Sequence, residues 1–165
     1  MWLWAVEESE GSIHSSSHVI NALARSGVGK LRVIDFDTVS LSSINRHAFA
    51  LRKDVGKTKV QVLDYYLKSI NPGIDLDIKQ TFLKKENVAS LLQGSPDMVI
   101  DCIDDVTTKC DLIQYCVEHK LQVISSGGAG MKADPTRIQL RDISETNCKL
   151  KIKQTMPSAR QLGLS

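Results

Sequence analysis
An apolar run that stops abruptly at carboxylates constrains this chain more than any other feature. Leu31, Val33 and Ile34 lead into Asp35, Phe36 and Asp37, and Thr38, Ser40, Ser42, Ser43, Asn45, Arg46 and His47 follow. A strand leaving a core through carboxylates, small hydroxyls and a cation has the layout of a nucleotide site. One acid takes ribose hydroxyls and the arginine reaches phosphate oxygens. The plainer reading is a strand that exits through a polar loop.

The rest of the pattern bears on that choice. Residues 2–6 read as a buried strand and 7–17 as a polar loop. Ile20, Leu23 and Ala24 then mark one face of a helix, with residues 15–17 as caps and Gly27 as its end. Residues 30–36 form a second strand and 42–49 a short helix or turn. Val60, Leu63, Tyr66, Leu67 and Ile70 give an amphipathic helix over 57–70, stopped by Asn71-Pro72-Gly73. Residues 74–79 alternate apolar and acidic, as in a half-exposed strand near a sheet edge. A short helix (86–92), a buried strand (97–102), a helix (107–119) and a buried strand (121–124) follow. The last strand runs into Ser125-Ser126-Gly127-Gly128-Ala129-Gly130, and 137–143 alternates as a further strand. Residues 144–165 are basic, polar and aperiodic, a loose tail behind a domain spanning 1–143.

Strands alternating with helices predict an α/β, Rossmann-like doubly wound, mostly parallel sheet with right-handed crossovers. Ligands of such sheets sit at the carboxyl ends of the strands. Three strand ends converge there on polar groups: Asp35 with Asp37, Asp101 with Asp104 and Asp105, and residues 125–130.

Composition narrows the function. A net charge of +2 does not by itself argue for nucleic acid, and 5% aromatic residues argue against a stacking platform for single strands. Cys102, Cys110, Cys116 and Cys148 contain no C-x-x-C pair, which favours reduced thiols over a zinc site or disulfide framework. His14 and His18 are four residues apart but have no third ligand nearby. The apolar start MWLWAV is short, has no basic region before it and meets Glu7, Glu8 and Glu10, unlike a signal peptide or membrane span. The basic, acid-poor pattern of a mitochondrial presequence is missing too. A cytoplasmic protein is expected, with a mitochondrial, outer-membrane-associated one as the alternative.

On residue chemistry, Asp35 would accept ribose hydroxyls, Arg46 and Lys59 would pair with phosphate oxygens, and Asp104 would hold Mg²⁺. Metal and cations together would stabilise charge on a pyrophosphate as the α-phosphate is attacked. Each residue has an ordinary alternative. The acids can be turn or cap residues, Lys59 can be solvated, and Arg46 can pair with Asp37 or Asp54.

The segments IDFDTVSLSSINRH, VGKTKV, INP, DCIDD and SSGGAGMKADPTRIQLRDIS resemble the ThiF/MoeB superfamily of ubiquitin-activating-like adenylating enzymes. Within it, NALARSGVGKLRVIDFD and ADPTRIQ, without zinc-type cysteine pairs, look most like the tRNA threonylcarbamoyladenosine dehydratase group. The likeness runs from about Asn21 to Ser144. It implies ATP–Mg²⁺ adenylation of a carboxylate on a modified adenosine of tRNA, then ring closure with loss of water, by a homodimer. Carried onto this sequence, the resemblance puts the ribose acid at Asp35, beside Asp37. The phosphate cations fall at Arg46 and Lys59, and the magnesium acid at Asp104. Ser43 falls where the family often has Asn near the phosphates.

The pattern breaks at the N-terminus. Where the family has a G-x-G-G-V-G turn, this chain has AVEESEGSIHSSSHVINALARSG, with only Gly11 left before the helix. Residues 1–18 are thus atypical, and their glutamates add negative charge near the expected phosphates. Unit charges about 4 Å apart repel by roughly 1 kcal/mol in water and about 4 near a protein surface. The family's N-terminal helices, and everything after the ADPTRIQ strand, are missing, which reads as an incomplete or alternatively spliced product. The first alternative is therefore a catalytically inactive ThiF-like binding or dimerisation module. A ubiquitin-like or sulfur-carrier activating enzyme is the second. An NAD(P)-binding oxidoreductase would need a G-x-G-x-x-G turn after the first strand, which the sequence does not contain.

Overall fold
A computed structural model describes residues 2–6, 15–127 and 134–142. The chain divides into two compact units, Met1–Gly127 and Gly128–Ser165.

Among its described residues the first unit holds five parallel strands: β1 (Trp2–Val6), β2 (Lys30–Ile34), β3 (Asp75–Lys79), β4 (Met98–Asp101) and β5 (Val123–Ser125). Their order is β3-β2-β1-β4-β5. Four helices connect them: α1 (Ser15–Arg25), α2 (Lys59–Ile70), α3 (Val88–Leu91) and α4 (Val106–Glu118). The doubly wound α/β arrangement expected from the alternation is the one observed.

Period-two alternation sorts the core into two layers. Leu3, Ala5, Leu31 and Val33 pack with Ile20 and Ala24 of α1 and Val60, Leu63 and Leu67 of α2. Val6, Ile34 and Val99 point the other way, onto Val88 and Leu91 of α3 and Leu112 and Cys116 of α4. Burying each such side chain contributes about 1.5–3 kcal/mol. A right-handed crossover sends its helix to opposite faces according to whether the chain steps left or right. The chain steps outward from β1 to β2 and β3, then returns to β4 on the far side of β1. The strand order therefore reverses between β1 and β4.

Several expectations shift. Residues 15–17 lie inside α1 rather than before it. Gly27, at φ +83°, closes that helix, and Val28 N–H donates to Leu23 O. Thr58 caps α2 by accepting from Gln61 N–H, so the helix begins at Lys59. The apolar run 121–124 predicts a buried strand, yet β5 begins at Val123 and Ile124 is exposed. β5 pairs with β4 on one side, and among the described residues no strand covers the other.

In the second unit the strand expected over 137–143 is not formed in its described part. Pro135–Arg137 is a 3-10 turn, and residues 138–142 have no regular structure. Asp134 Oδ1 accepts from both the backbone and the hydroxyl of Thr136, which favours a turn at this point. Ile138 and Leu140 are exposed. Alternation signals a strand only where a neighbour pairs its backbone, and none does so here among the described residues. The polar loop at 7–14, Gly128–Gly130 and the tail at 144–165 lie outside the described residues.

Candidate nucleotide site
The carboxyl end of β2 carries the centre of the site. Asp35 follows β2 directly and is 2% exposed. Its N–H donates to Lys79 O at the end of β3, and its Oδ1 accepts from Asp37 N–H at 2.8 Å. One carboxylate oxygen thus serves a turn, as the plainer reading proposed for such an acid.

Lys59 reaches the same edge through backbone pairing. Val39 N–H donates to Lys57 O, Gly56 N–H to Val39 O and Lys59 N–H to Asp37 O, around an antiparallel bridge between Thr38 and Thr58. The loop between β2 and α2 is thereby folded back on itself. Lys59 Nζ lies 2.5 Å from Asp37 Oδ2, and the residue is 3% exposed. The solvated lysine that a helical surface position suggests is not what forms.

Ser43 and Arg46 belong to a 3-10 turn, Leu41–Arg46. Ser43 is buried; its hydroxyl donates to Ser40 O at 2.8 Å and accepts from Ser40 N–H at 3.0 Å. That hydroxyl shapes the turn. Arg46 Nη1 donates to Ser42 O at 2.6 Å and to Asn45 Oδ1 at 3.2 Å. The segment just beyond is docked on the first turn of α1, where Ala48 N–H donates to Ser17 Oγ at 3.1 Å. The arginine's turn is thus tied to the N-terminal end of α1, where backbone N–H groups and the helix dipole favour anions. The sequence carries no periodic signal for that docking, because it joins residues 31 apart.

Asp104 lies beyond β4, across β1 from Asp35, at the same edge of the sheet. It is exposed and makes no hydrogen bond or ion pair among the described residues. The adjacent acids are engaged. Asp105 caps α4 by accepting from Thr108 N–H, and Asp101 is buried against Lys109. No group of three or more His, Cys, Asp or Glu among the described residues is arranged to hold a metal. Magnesium bound through one or two carboxylates and substrate phosphates requires no such group, and Asp104 fits that role.

Two features escaped sequence reasoning. Phe36 and Phe82 lie with ring centroids 4.1 Å apart, forming an aromatic wall next to Asp35. Lys109, 3% exposed, lies 2.5 Å from Asp101 Oδ2 and also donates to Ser125 Oγ and Ser126 O. Ser125 Oγ donates to the same carboxylate oxygen at 2.5 Å, and Ile103 N–H donates to its partner oxygen. This network ties together the ends of β4 and β5. The wall could have been sought in the Phe after Asp35; nothing in sequence spacing distinguishes Lys109 from a surface lysine.

Cys116 is fully buried beneath it. Burial, and then the Asp101 carboxylate, push its thiol from 9.0 up to about 12. The folded state therefore keeps a proton that the unfolded chain releases above about pH 9. The stability from this group is fully present below about 9 and lost as pH rises toward about 12. Urea unfolding at increasing alkaline pH should show a loss of up to about 1.4 kcal/mol per pH unit from this thiol. Cys116→Ala should be less stable at neutral pH but show a shallower alkaline slope.

A model of the ThiF family matches residues 17–162. The chain belongs to the ThiF family. Saccharomyces cerevisiae tRNA threonylcarbamoyladenosine dehydratase 2 is 44% identical over 132 residues, covering 79% of this chain and 30% of the relative. The Haemophilus influenzae tRNA threonylcarbamoyladenosine dehydratase is 45% identical over 130 residues, covering 79% of this chain and 50% of the relative. This ThiF chain thus spans half or less of the length of those two relatives. Its fold superposes on the Escherichia coli tRNA N6-threonylcarbamoyladenosine dehydratase crystallised with ATP, with a TM-score of 0.81 and 36% sequence identity. That match covers 88% of this chain and 59% of the other. Molybdopterin-synthase adenylyltransferase of E. coli is also similar, 33% identical over 120 residues, covering 73% of this chain and 48% of that one.

Proposed function
We propose that this ThiF domain binds ATP with Mg²⁺ and serves in adenylating a carboxylate, on a threonylcarbamoyl-modified adenosine of tRNA. A carboxylate oxygen attacks the α-phosphorus and pyrophosphate leaves. An atom of the carbamoyl group then attacks the activated acyl carbon, giving up its proton, and AMP departs with the carboxylate oxygen, so that the substrate loses the elements of water. Asp35 accepts ribose hydroxyls through its carboxylate. Lys59 and Arg46 face the phosphates, and Asp104 is the magnesium carboxylate. Asp37 orients Lys59, and Ser43 holds the turn that carries Arg46. The observation that carries the reading is the joining of Asp35, Asp37 and Lys59 at the carboxyl edge of β2, close to where the strand order reverses. A homodimer and a cytoplasmic setting belong to this proposal. No helix among the described residues is long and apolar enough to cross a membrane.

Isothermal titration with ATP and Mg²⁺ tests it. Micromolar binding supports the enzyme reading, and absence of heat supports the inactive relative that lacks the glycine turn. Asp104→Ala should remove the magnesium-dependent part of binding; retention of that part would place the metal elsewhere.

A further inference from the structure
A second cleft, of about 320 Å³, opens between α2 and the loop ahead of it. Its volume is at the lower end of the range for small-ligand pockets. Phe49 and Tyr66 stack within it, centroids 4.7 Å apart at an interplanar angle of 21°. Tyr65 lines the same cleft and is 77% exposed, so its ring is open to solvent. Lys53, Lys57 and Gln61 supply exposed cations and an amide.

The acid of the cleft is already satisfied. Asp54 Oδ1 accepts from Lys57 Nζ and Oδ2 from Leu51 N–H, and these bonds hold its carboxyl below the usual carboxylate range. Arg52 and Lys53 beside it are both exposed, so the rim carries net positive charge. Asp64, on the next turn of α2, is paired with Lys68. The protein has few aromatic residues, yet the fold gathers three of them next to lysines.

We propose that this cleft takes an unpaired nucleotide of an RNA strand, its base stacked on Tyr65 and its phosphates against Lys53 and Lys57. An aromatic face with adjacent cations is the chemistry that holds single strands without reading sequence. The assignment rests on the reading of the protein as a tRNA-modifying domain and adds where the RNA is gripped. The loop carrying Lys53 and Lys57 also delivers Lys59 to Asp37, so an RNA held here lies next to the nucleotide site.

The test is fluorescence anisotropy of a labelled unmodified tRNA transcript with the full 165-residue chain. Tyr65→Ala should weaken binding about five- to a hundredfold, the worth of one stacked base. Lys53→Ala should reduce the salt slope by about 0.7, one single-strand phosphate contact. Tyr65 is 77% exposed and belongs to neither core cluster, and Lys57 is left in place because it holds Asp54. Overturning results are no binding by the parent chain, unchanged affinity and slope in both variants, or equally tight competition by free AMP. Loss of self-association with unchanged RNA affinity would also overturn it, assigning the cleft to a second copy of the chain. ATP titration of the same variants keeps the two proposals apart. Silence toward ATP with Tyr65-dependent RNA binding sinks the adenylation reading and leaves this one standing.

Discussion

Lys109→Ala is expected to lower the unfolding free energy by about 3–5 kcal/mol, because it strands a buried charge. Asp101 is 0% exposed, and its Oδ2 faces Lys109 Nζ at 2.5 Å. The remaining donors, Ile103 N–H and Ser125 Oγ, are neutral and cannot replace the ammonium. Domains of this kind are stable by about 5–15 kcal/mol, so the variant should stand close to unfolding at physiological temperature. Urea denaturation provides the measurement. The double variant Asp101→Asn with Lys109→Met should recover much of the loss, since neither charge is then buried alone. A single variant within about 1 kcal/mol of the parent would mean that the fold does not depend on the Lys109–Asp101 pair.

Lys59→Ala should weaken ATP–Mg²⁺ binding about ten- to a hundredfold, the worth of a charge-assisted hydrogen bond of about 1.5–3 kcal/mol. The substitution has a second consequence. Asp37 loses its partner, and its carboxylate then faces the incoming phosphates uncompensated. Asp37→Asn makes the complementary measurement: the amide oxygen still accepts from Lys59 Nζ and keeps it oriented, while the negative charge beside the phosphates is lost, so ATP affinity should be equal or higher. Circular dichroism and urea midpoints separate binding loss from unfolding. If Lys59→Ala binds ATP as tightly as the parent while folding normally, Lys59 is merely the structural counter-ion of Asp37.

Much of the fold was legible because parallel strands buried on both faces read as short apolar runs, and helices on the sheet read as 3.6-residue stripes. Val60, Leu63 and Leu67 announced α2, and Val99 to Asp101 announced β4. Alternation failed at residues 138–142, where Ile138 and Leu140 are exposed and no pairing partner exists among the described residues. It also misjudged β5 as buried, since a strand's place in a sheet depends on neighbours that its own residues do not encode. The site acids were visible as strand ends. The division of labour among them was not, because it depends on which hydrogen bonds each carboxylate already accepts. Asp105 caps a helix, Asp101 neutralises Lys109, and Asp104 remains at the edge.

From residue order and patterning alone came the α/β alternation, the acids at the carboxyl ends of strands and the likeness to the ThiF family. Tertiary structure alone decided that Lys59 is buried against Asp37, that Arg46's turn is tied to α1, and that Lys109 and Cys116 lie beneath Asp101. The physical reason is range. Periodicity and turn chemistry act between residues a few positions apart, whereas burial and ion pairing are set by elements that meet only once the sheet has formed.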